Sequence, residues 1–344
     1  MTIPSRLQDL PPKWARFCLS IDHFLTRELN LDLQGKTLLM ALSGGVDSTA
    51  LLLTAHLLKH RWQASLCAAH LNHNLRPEAE EEAFSVSDLC STLGIPCHSG
   101  SSTVAVYARR LNLGLEEAGR ILRYRFLHGI RRTIRADLVL TGHHLNDLAE
   151  DVLLRFMRGT GWPSLAGMEA MDPSSGLVRP LLMTPKEELL GFVRSTGLTW
   201  HEDLSNQDTA FTRNRVRQAI MPLLLQENAN FLQTVRQLWR QARIDASYFS
   251  DGLETLKSSE IQNRDAILIP KQALIPVHPA LRLRWYRDVL NRIGPGQVLS
   301  ANLFTLDGLL HTTGTVQFPG NKQAVVGKEW VSFASCRARK KRQK

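Results

Sequence analysis

Cysteine is scarce and poorly spaced for chemistry: five residues stand at positions 18, 67, 90, 97 and 336, and none forms a C-x-x-C pair. That spacing supplies neither a disulfide framework nor a tetrahedral zinc site, so free, buried thiols are expected. Long apolar runs are missing too. The longest candidate, residues 51–58, is interrupted by Thr54 and His56, whereas a membrane span requires roughly 18 consecutive apolar residues. The opening residues MTIPSRLQDLPPKW lack a basic-then-apolar signal pattern. A cytoplasmic protein without membrane association is therefore expected.

Negative charge is in deficit. Lys and Arg number 42 against 32 Asp and Glu, a formal net charge of +10. The last eight residues, RARKKRQK, hold six of the cations, which leaves only +4 for the rest of the chain. Clustering therefore matters more than the total. Eight arginines fall between Arg109 and Arg135 against two acids, Glu116 and Glu117. Arg213, Arg215 and Arg217 alternate, and Arg282, Arg284, Arg287 and Arg292 follow. Such clusters suit a nucleic-acid partner, because phosphate contacts release condensed counterions. A solvated helix face explains any one of them equally well.

What remains is ordinary globular composition, with 43% hydrophobic and 22% charged residues over 344 positions. At about 150 residues per domain this predicts two domains with cores of their own. In the first half, short apolar runs at 36–42, 65–70, 95–98 and 137–140 alternate with helical spacing at 46–59, 116–132 and 146–158. The acidic stretch 78–82 starts a further helix after Pro77. This alternation predicts an α/β fold with a parallel sheet covered on both faces. Residues 159–176 read as a surface segment, 185–195 as a helix, 200–208 as a polar loop and 211–225 as a helix. A longer helix from 228 to about 256 leads to a smaller, mainly helical unit, with a helix at 278–291 and short strands near 316–318 and 323–326. The expected domains are 1–225 and 226–335, followed by a basic tail at 336–344.

Three polar segments fall just after predicted strands, where ligands bind in such sheets. The sharpest is Ser43-Gly44-Gly45-Val46-Asp47-Ser48. Glycines between a strand and a helix let backbone N–H groups approach an anion, and the helix start adds partial positive charge. Ser43 and Ser48 add hydroxyl donors. Asp47 would repel bare phosphate, so its presence implies a divalent cation between them. No lysine follows the glycines, which excludes a Walker A loop. A helix start capped by Ser43 is the bland alternative.

His70, Asn72, His73 and Arg76 form the second segment; His70 and Asn72 share a strand face and could bond a base or sugar, and Arg76 a phosphate. A capped turn with surface histidines explains the same letters, and the further histidine of an H-N-H nuclease is lacking. The third segment, Gly142 to Asp151, contains Asn146 as a candidate helix cap and Asp147 in the first turn, which the helix dipole favours. In the functional reading Asp147 is a second Mg2+ ligand facing Asp47. His143, His144, Asp147 and Asp151 also have spacings suited to a transition metal. Between these segments, Arg120, Arg123 and Tyr124 lie at i, i+3 and i+4 on one helix face. Paired guanidinium groups there could meet charge developing on a phosphoryl group.

The ordered set SGGVDS, HLNHNLRP, EEAGRILRY and TGHHLNDLAEDVLLRFMRGTG resembles the PP-loop ATP pyrophosphatases. With LVRPLL at 177–182 and EDLSNQDTAFTRNRVR at 202–217, it is similar to the tRNA(Ile)-lysidine synthase family within them. The resemblance runs from about residue 36 to 225 and is weaker beyond. It implies an adenine nucleotide alpha hydrolase-like PP-loop domain that uses ATP and Mg2+. The implied reaction joins free L-lysine to C2 of the wobble cytidine of tRNA(Ile) with a CAU anticodon, through an adenylated base, giving lysidine, AMP and pyrophosphate. It further implies that Ser43, Gly44, Gly45, Val46 and Ser48 hold the nucleotide with Asp47, and that Asp47 and Asp147 bind the metal. Arg120 would support the reacting groups, while His70, Asn72, His73, Arg76, Arg123, Arg213 and Arg217 would contact substrate or tRNA. Homodimerisation stays open.

Departures from the family pattern are Gly119 for alanine, which loosens the helix and weakens the placement of Arg120, Asn146 for an acid and Asp151 for threonine. Longer members carry a further C-terminal domain where this chain has its tail. The alternatives are a PP-loop tRNA 2-thiolase, which needs cysteines in suitable positions, an amidating synthetase of the GMP or NAD kind, which needs no arginine clusters, and a non-catalytic tRNA-binding protein, which explains the charge but not Asp47 and Asp147.

Overall fold

Leu38, Leu39 and Met40 are fully buried, as expected for a strand covered on both faces. They belong to β1 (Thr37–Leu42), one of six strands in a single sheet with β2 (Ser65–Asn72), β3 (Cys97–Ser101), β4 (Leu138–Leu140), β5 (Met171–Asp172) and β6 (Leu177–Val178). Their order is β3-β2-β1-β4-β6-β5, parallel except for the β5–β6 pair. The computed structural model describes residues 3–73, 79–201, 211–263 and 266–336. The chain divides into two units, Met1–Arg240 and Gln241–Lys344.

In the first unit α1 (Pro12–His23) precedes the sheet. The connections carry α2 (Val46–Trp62), α3 (Ala79–Thr92), α4 (Val104–Leu111), α5 (Leu115–Thr133) and α6 (Leu145–Met157). Then come α7 (Lys186–Ser195), α8 (Thr212–Arg215) and α9 (Met221–Glu227), and α10 (Phe231–Lys257) begins in this unit and continues into the second from Gln241. Helix α2 is apolar on nearly every side because it packs on β1, α1 and α7. Asp22 ties α1 to α2, accepting from Arg61 Nε at 2.7 Å and Trp62 Nε1 at 2.9 Å.

The expected alternation of strands and helices is present. Helices α1 and α4 and strands β5 and β6 lie where no element was expected; two-residue strands have no period to detect. The helix expected over 211–225 is instead α8, a π-helical turn at Val216–Ile220, and α9. Pro222, in the first turn of α9, has no N–H to continue a regular ladder. Asn146 is not the cap of α6. His144 takes that place, its Nδ1 accepting from Asp147 N at 3.4 Å while Asp147 Oδ2 accepts from His144 N at 3.1 Å. Asn146 instead accepts from Lys186 N at 2.9 Å and so anchors the start of α7. Gly119 lies inside an unbroken α5, against Val104.

The second unit adds α11 (Lys271–Leu274), α12 (Pro279–Ile293) and α13 (Ser300–Gly308) to a five-stranded antiparallel sheet. Its strands are β7 (Ile261–Asn263), β8 (Ala266–Pro270), β9 (Gly314–Phe318), β10 (Lys322–Val326) and β11 (Trp330–Ser335), in the order β7-β8-β11-β10-β9. Trp285 and Tyr286 of α12 pack on Phe333 in its core. Two arginines of the basic stripe on α12 serve structure. Arg282 forms a forked pair with Asp307, at 2.7 and 2.8 Å, and Arg292 one with Glu260, at 2.6 and 2.9 Å. Lys322 is fully buried, and its Nζ donates to the carbonyls of Gly294 and Gly296, both at 3.0 Å.

Candidate active site

The chain leaves β1 toward β2 and β3 on one side and later returns through β4 on the other. The gap between the carboxyl ends of β1 and β4 is therefore the switch point of the sheet, where α/β folds bind ligands. Ser43-Gly44-Gly45 follows β1 there. Gly44 takes φ +84°, a left-handed conformation that needs glycine. Gly45 is the N-cap of α2 with no side-chain cap, which leaves first-turn N–H groups to a ligand. Ser48 Oγ donates to Gly45 O at 2.9 Å and accepts from Ser43 N at 3.2 Å, so the loop is tied to itself. Gly142, just past β4, presses on the same turn: a Cβ there would stand 3.1 Å from the carbonyl of Asp47 and 3.2 Å from Ser48 N.

Asp47 and Asp147 reach this gap from the first turns of α2 and α6 and meet at one side chain. His144 Nε2 lies 3.6 Å from Asp47 Oδ2 and 3.5 Å from Asp147 Oδ2. Burial opposes protonation of His144, but the two carboxylates outweigh it and hold the imidazole above its ordinary pKa. Burial likewise opposes ionisation of Asp147, yet His144 and Arg213 hold the carboxyl well below the ordinary range. His143 behaves oppositely. Burial pushes it down to about 4, so it is neutral at pH 7, with Nδ1 2.9 Å from Thr141 Oγ1.

Arg213 and Arg217, expected to contact tRNA or phosphate, are engaged by acids of α6. Asp147 Oδ1 accepts from Arg213 Nη2 at 3.1 Å and from Arg217 Nη2 at 3.0 Å. Glu150 is buried below them and accepts from Arg213 Nε at 3.0 Å and Arg217 Nε at 2.7 Å. Sequence reasoning missed Glu150; its place three residues after Asp147, on the same helix face, was the available signal. Asp151 is the partner of Arg155, at 2.8 Å.

The remaining predicted residues are dispersed around this centre. His70 and Asn72 are both buried at the end of β2. His70 Nδ1 donates to Leu42 O at 3.0 Å, which leaves Nε2 as a buried acceptor with no protein partner. Asn72 donates to Ala79 O at 3.1 Å. His73 Nε2 lies 3.4 Å from Arg123 Nη2, joining the end of β2 to α5. Arg120 is exposed and lies over the ring of Tyr124, 5.7 Å from its centroid. Arg76, residues 202–210, which include most of the polar loop expected over 200–208, and residues 337–344 lie outside the described residues.

The sheet order and the glycine loop at its switch point define a PP-loop nucleotide-binding domain, and the family model described as "PP-loop domain" matches residues 17–224. The chain belongs to the tRNA(Ile)-lysidine synthase family. The relative of that name from Nitratidesulfovibrio vulgaris is 41% identical over 315 residues, covering 86% of this chain and 91% of the relative. Those from Thermosipho africanus and Geobacillus kaustophilus are each 35% identical, over 73% and 74% of this chain; the chain spans only 58% of the length of each. Among solved structures, the U34-tRNA thiolase NcsA from Methanococcus maripaludis, determined with its 4Fe-4S cluster, is similar in fold. The TM-score is 0.53 at 17% identity, covering 66% of this chain and 78% of that one.

Proposed function

We propose that this chain catalyses ATP-dependent attachment of free L-lysine to C2 of the wobble cytidine in tRNA(Ile) bearing a CAU anticodon. The observation that carries the reading is the convergence of Asp47 and Asp147 on one imidazole at the switch point of a PP-loop sheet. In this reading Ser43, Gly44, Gly45, Val46 and Ser48 hold the β and γ phosphates of ATP. The cytidine O2 then attacks the α phosphorus and pyrophosphate leaves. The lysine amine next attacks C2, the C–O bond to the adenylyl group breaks, and AMP departs with the oxygen.

Asp47 Oδ1 is buried and makes no hydrogen bond within the protein, which fits a carboxylate oxygen that coordinates a hard cation. Asp47 and Asp147 would hold Mg2+ together with the phosphates, a mode that needs only one or two protein carboxylates. The cation supplies charge neutralisation on the phosphates. Asp147 is already shared by Arg213 and Arg217, so the protein also brings its own cations to this edge. Arg120 and Arg123 of α5 are assigned to the reacting base and the tRNA, together with His70, Asn72, His73 and Arg76. Catalysis is assigned to 1–225 and tRNA capture to 226–335, working in the cytoplasm.

The 2-thiolation alternative requires a thiol at this edge. Cys67 and Cys97 lie in the amino-terminal halves of β2 and β3, Cys18 and Cys90 are buried in helices, and all five cysteines are free. The test is direct: incubate the protein with ATP, Mg2+, labelled lysine and a tRNA(Ile) transcript bearing CAU. Label enters the RNA with stoichiometric AMP, and D47N abolishes both while tRNA binding persists. Absence of label from the RNA with folded wild-type protein that binds both ATP and tRNA refutes the reading.

A further inference from the structure

We propose that Arg179 is an additional phosphate-binding residue of this site, presenting its guanidinium to a phosphoryl oxygen alongside Arg120. Arg179 directly follows β6, whose pairing with β4 (Leu140 opposite Val178) brings it to the carboxyl edge beside Thr141. The backbone there is fixed. Arg179 N donates to Ala170 O at 2.8 Å, and Thr141 N to Val178 O at 3.0 Å. The residue is only 9% exposed. Its Nη1 donates to the carbonyl of Glu169, and its Nε is buried with no hydrogen-bond partner.

A buried guanidinium without a counter-charge is costly, and proteins normally pair it. Arg282, the other arginine this deeply buried among the described residues, shows the normal solution: Asp307 grips it with both oxygens. Arg213 and Arg217 are likewise neutralised by Asp147 and Glu150. No carboxylate forms an ion pair with Arg179 among the described residues. Its neighbours are Tyr124, whose side chain hydrogen-bonds the guanidinium without bringing a carboxylate's charge, Arg120 and Asp151, and Asp151 is already bonded to Arg155. Arg179 also faces His143 on the loop after β4. Arg120, stacked on the ring of Tyr124, repels Arg179 rather than compensating it. An anion held by both arginines satisfies the unpaired Nε and offsets that repulsion, and a planar fork suits phosphate oxygens. The phosphate belongs either to ATP or to the tRNA backbone.

The inference rests on the proposed reaction only for the identity of these two phosphate sources. Wild type, R179Q and R179K are compared as full-length chains in four measurements. These are thermal unfolding, binding of ATP with Mg2+ in the absence of tRNA, tRNA binding across a salt series, and single-turnover AMP release. R179Q is expected to melt within a few degrees of wild type and to lose about tenfold or more in one affinity. R179K, which keeps the charge but not the fork, recovers part of the loss. Weaker ATP binding without tRNA identifies the nucleotide as the source. Weaker tRNA binding with a salt slope reduced by about 1 identifies the backbone. A folded R179Q with both affinities unchanged overturns the proposal, as do equal losses in both variants that track the folded fraction. If R179Q does not fold, a folded R179K with both affinities intact overturns it. Wild type that fails to label tRNA with lysine would refute the reaction, while the two binding measurements would still decide Arg179.

Discussion

Glu150 grips Arg217 with both carboxylate oxygens, Nε lying 2.7 Å from Oε1 and Nη2 3.0 Å from Oε2. Because Glu150 also holds Arg213 and is only 2% exposed, its removal takes from both guanidinium groups an acid that they share along with Asp147. Breaking one member of a buried charge network costs about 3–5 kcal/mol. E150A is therefore expected to lose that much stability in urea unfolding, and E150Q clearly less because it retains a hydrogen-bonding oxygen. A loss under about 1 kcal/mol for E150A would show that the network does not hold Arg213 and Arg217 in place.

Gly142 offers a test of the phosphate cradle that touches no charged group. A methyl group there meets the backbone of Asp47 and Ser48 at 3.1–3.2 Å, and backbone, unlike a flexible side chain, yields little. Overpacking of this kind costs about 1–3 kcal/mol. G142A is expected to displace the first turn of α2 and weaken ATP binding about tenfold, while tRNA binding stays near wild type. Calorimetry with ATP and Mg2+ measures this; unchanged ATP affinity would separate Gly142 from the nucleotide site.

His56 gives the fold a defined sensitivity to acid. Burial, aided by Lys59 and His60, pushes its pKa from about 6.5 down to about 4. Between those values the unfolded chain binds a proton that the folded chain refuses. The stabilising contribution is therefore complete above about pH 6.5 and is lost as pH falls through 4. Wild type is expected to lose about 2 kcal/mol more than H56Q between pH 7.5 and pH 4. Parallel pH profiles of thermal unfolding for the two proteins would contradict this.

Arg282 separates structural from nucleic-acid roles within the basic stripe of α12. Its guanidinium is spent on Asp307, and the phenol of Tyr286 donates to the same carboxylate at 3.2 Å. R282M is expected to destabilise the second unit by about 3 kcal/mol, with the salt slope of tRNA binding unchanged. A slope reduced by about 1 would instead place Arg282 on a phosphate.

Legibility in the sequence followed physical strength of signal. Strands β1 and β2 are apolar runs bounded by turn residues, and α2 and α6 start immediately after polar loops, so the switch point and the arrival of Asp47 and Asp147 at it could be read in advance. Two-residue β5 and β6 could not, because they have no period. The capping role of His144 was hidden because Asn146 is intrinsically the better cap. The engagement of Arg213 and Arg217 by Glu150 was hidden for another reason: alternating arginines look the same whether they face solvent phosphate or a buried acid more than sixty residues away in the chain. The burial of Lys322 leaves no trace in composition, since lysine is almost never fully buried unless paired.

Lys322 also has a use. An amine whose protons are committed to two backbone carbonyls inside the second unit cannot act as a nucleophile toward an acylating reagent until that unit opens. The rate at which Lys322 acquires such a label, followed by mass spectrometry beside the exposed lysines, is therefore an intrinsic clock for breathing of the C-terminal unit, readable without any substitution in the chain.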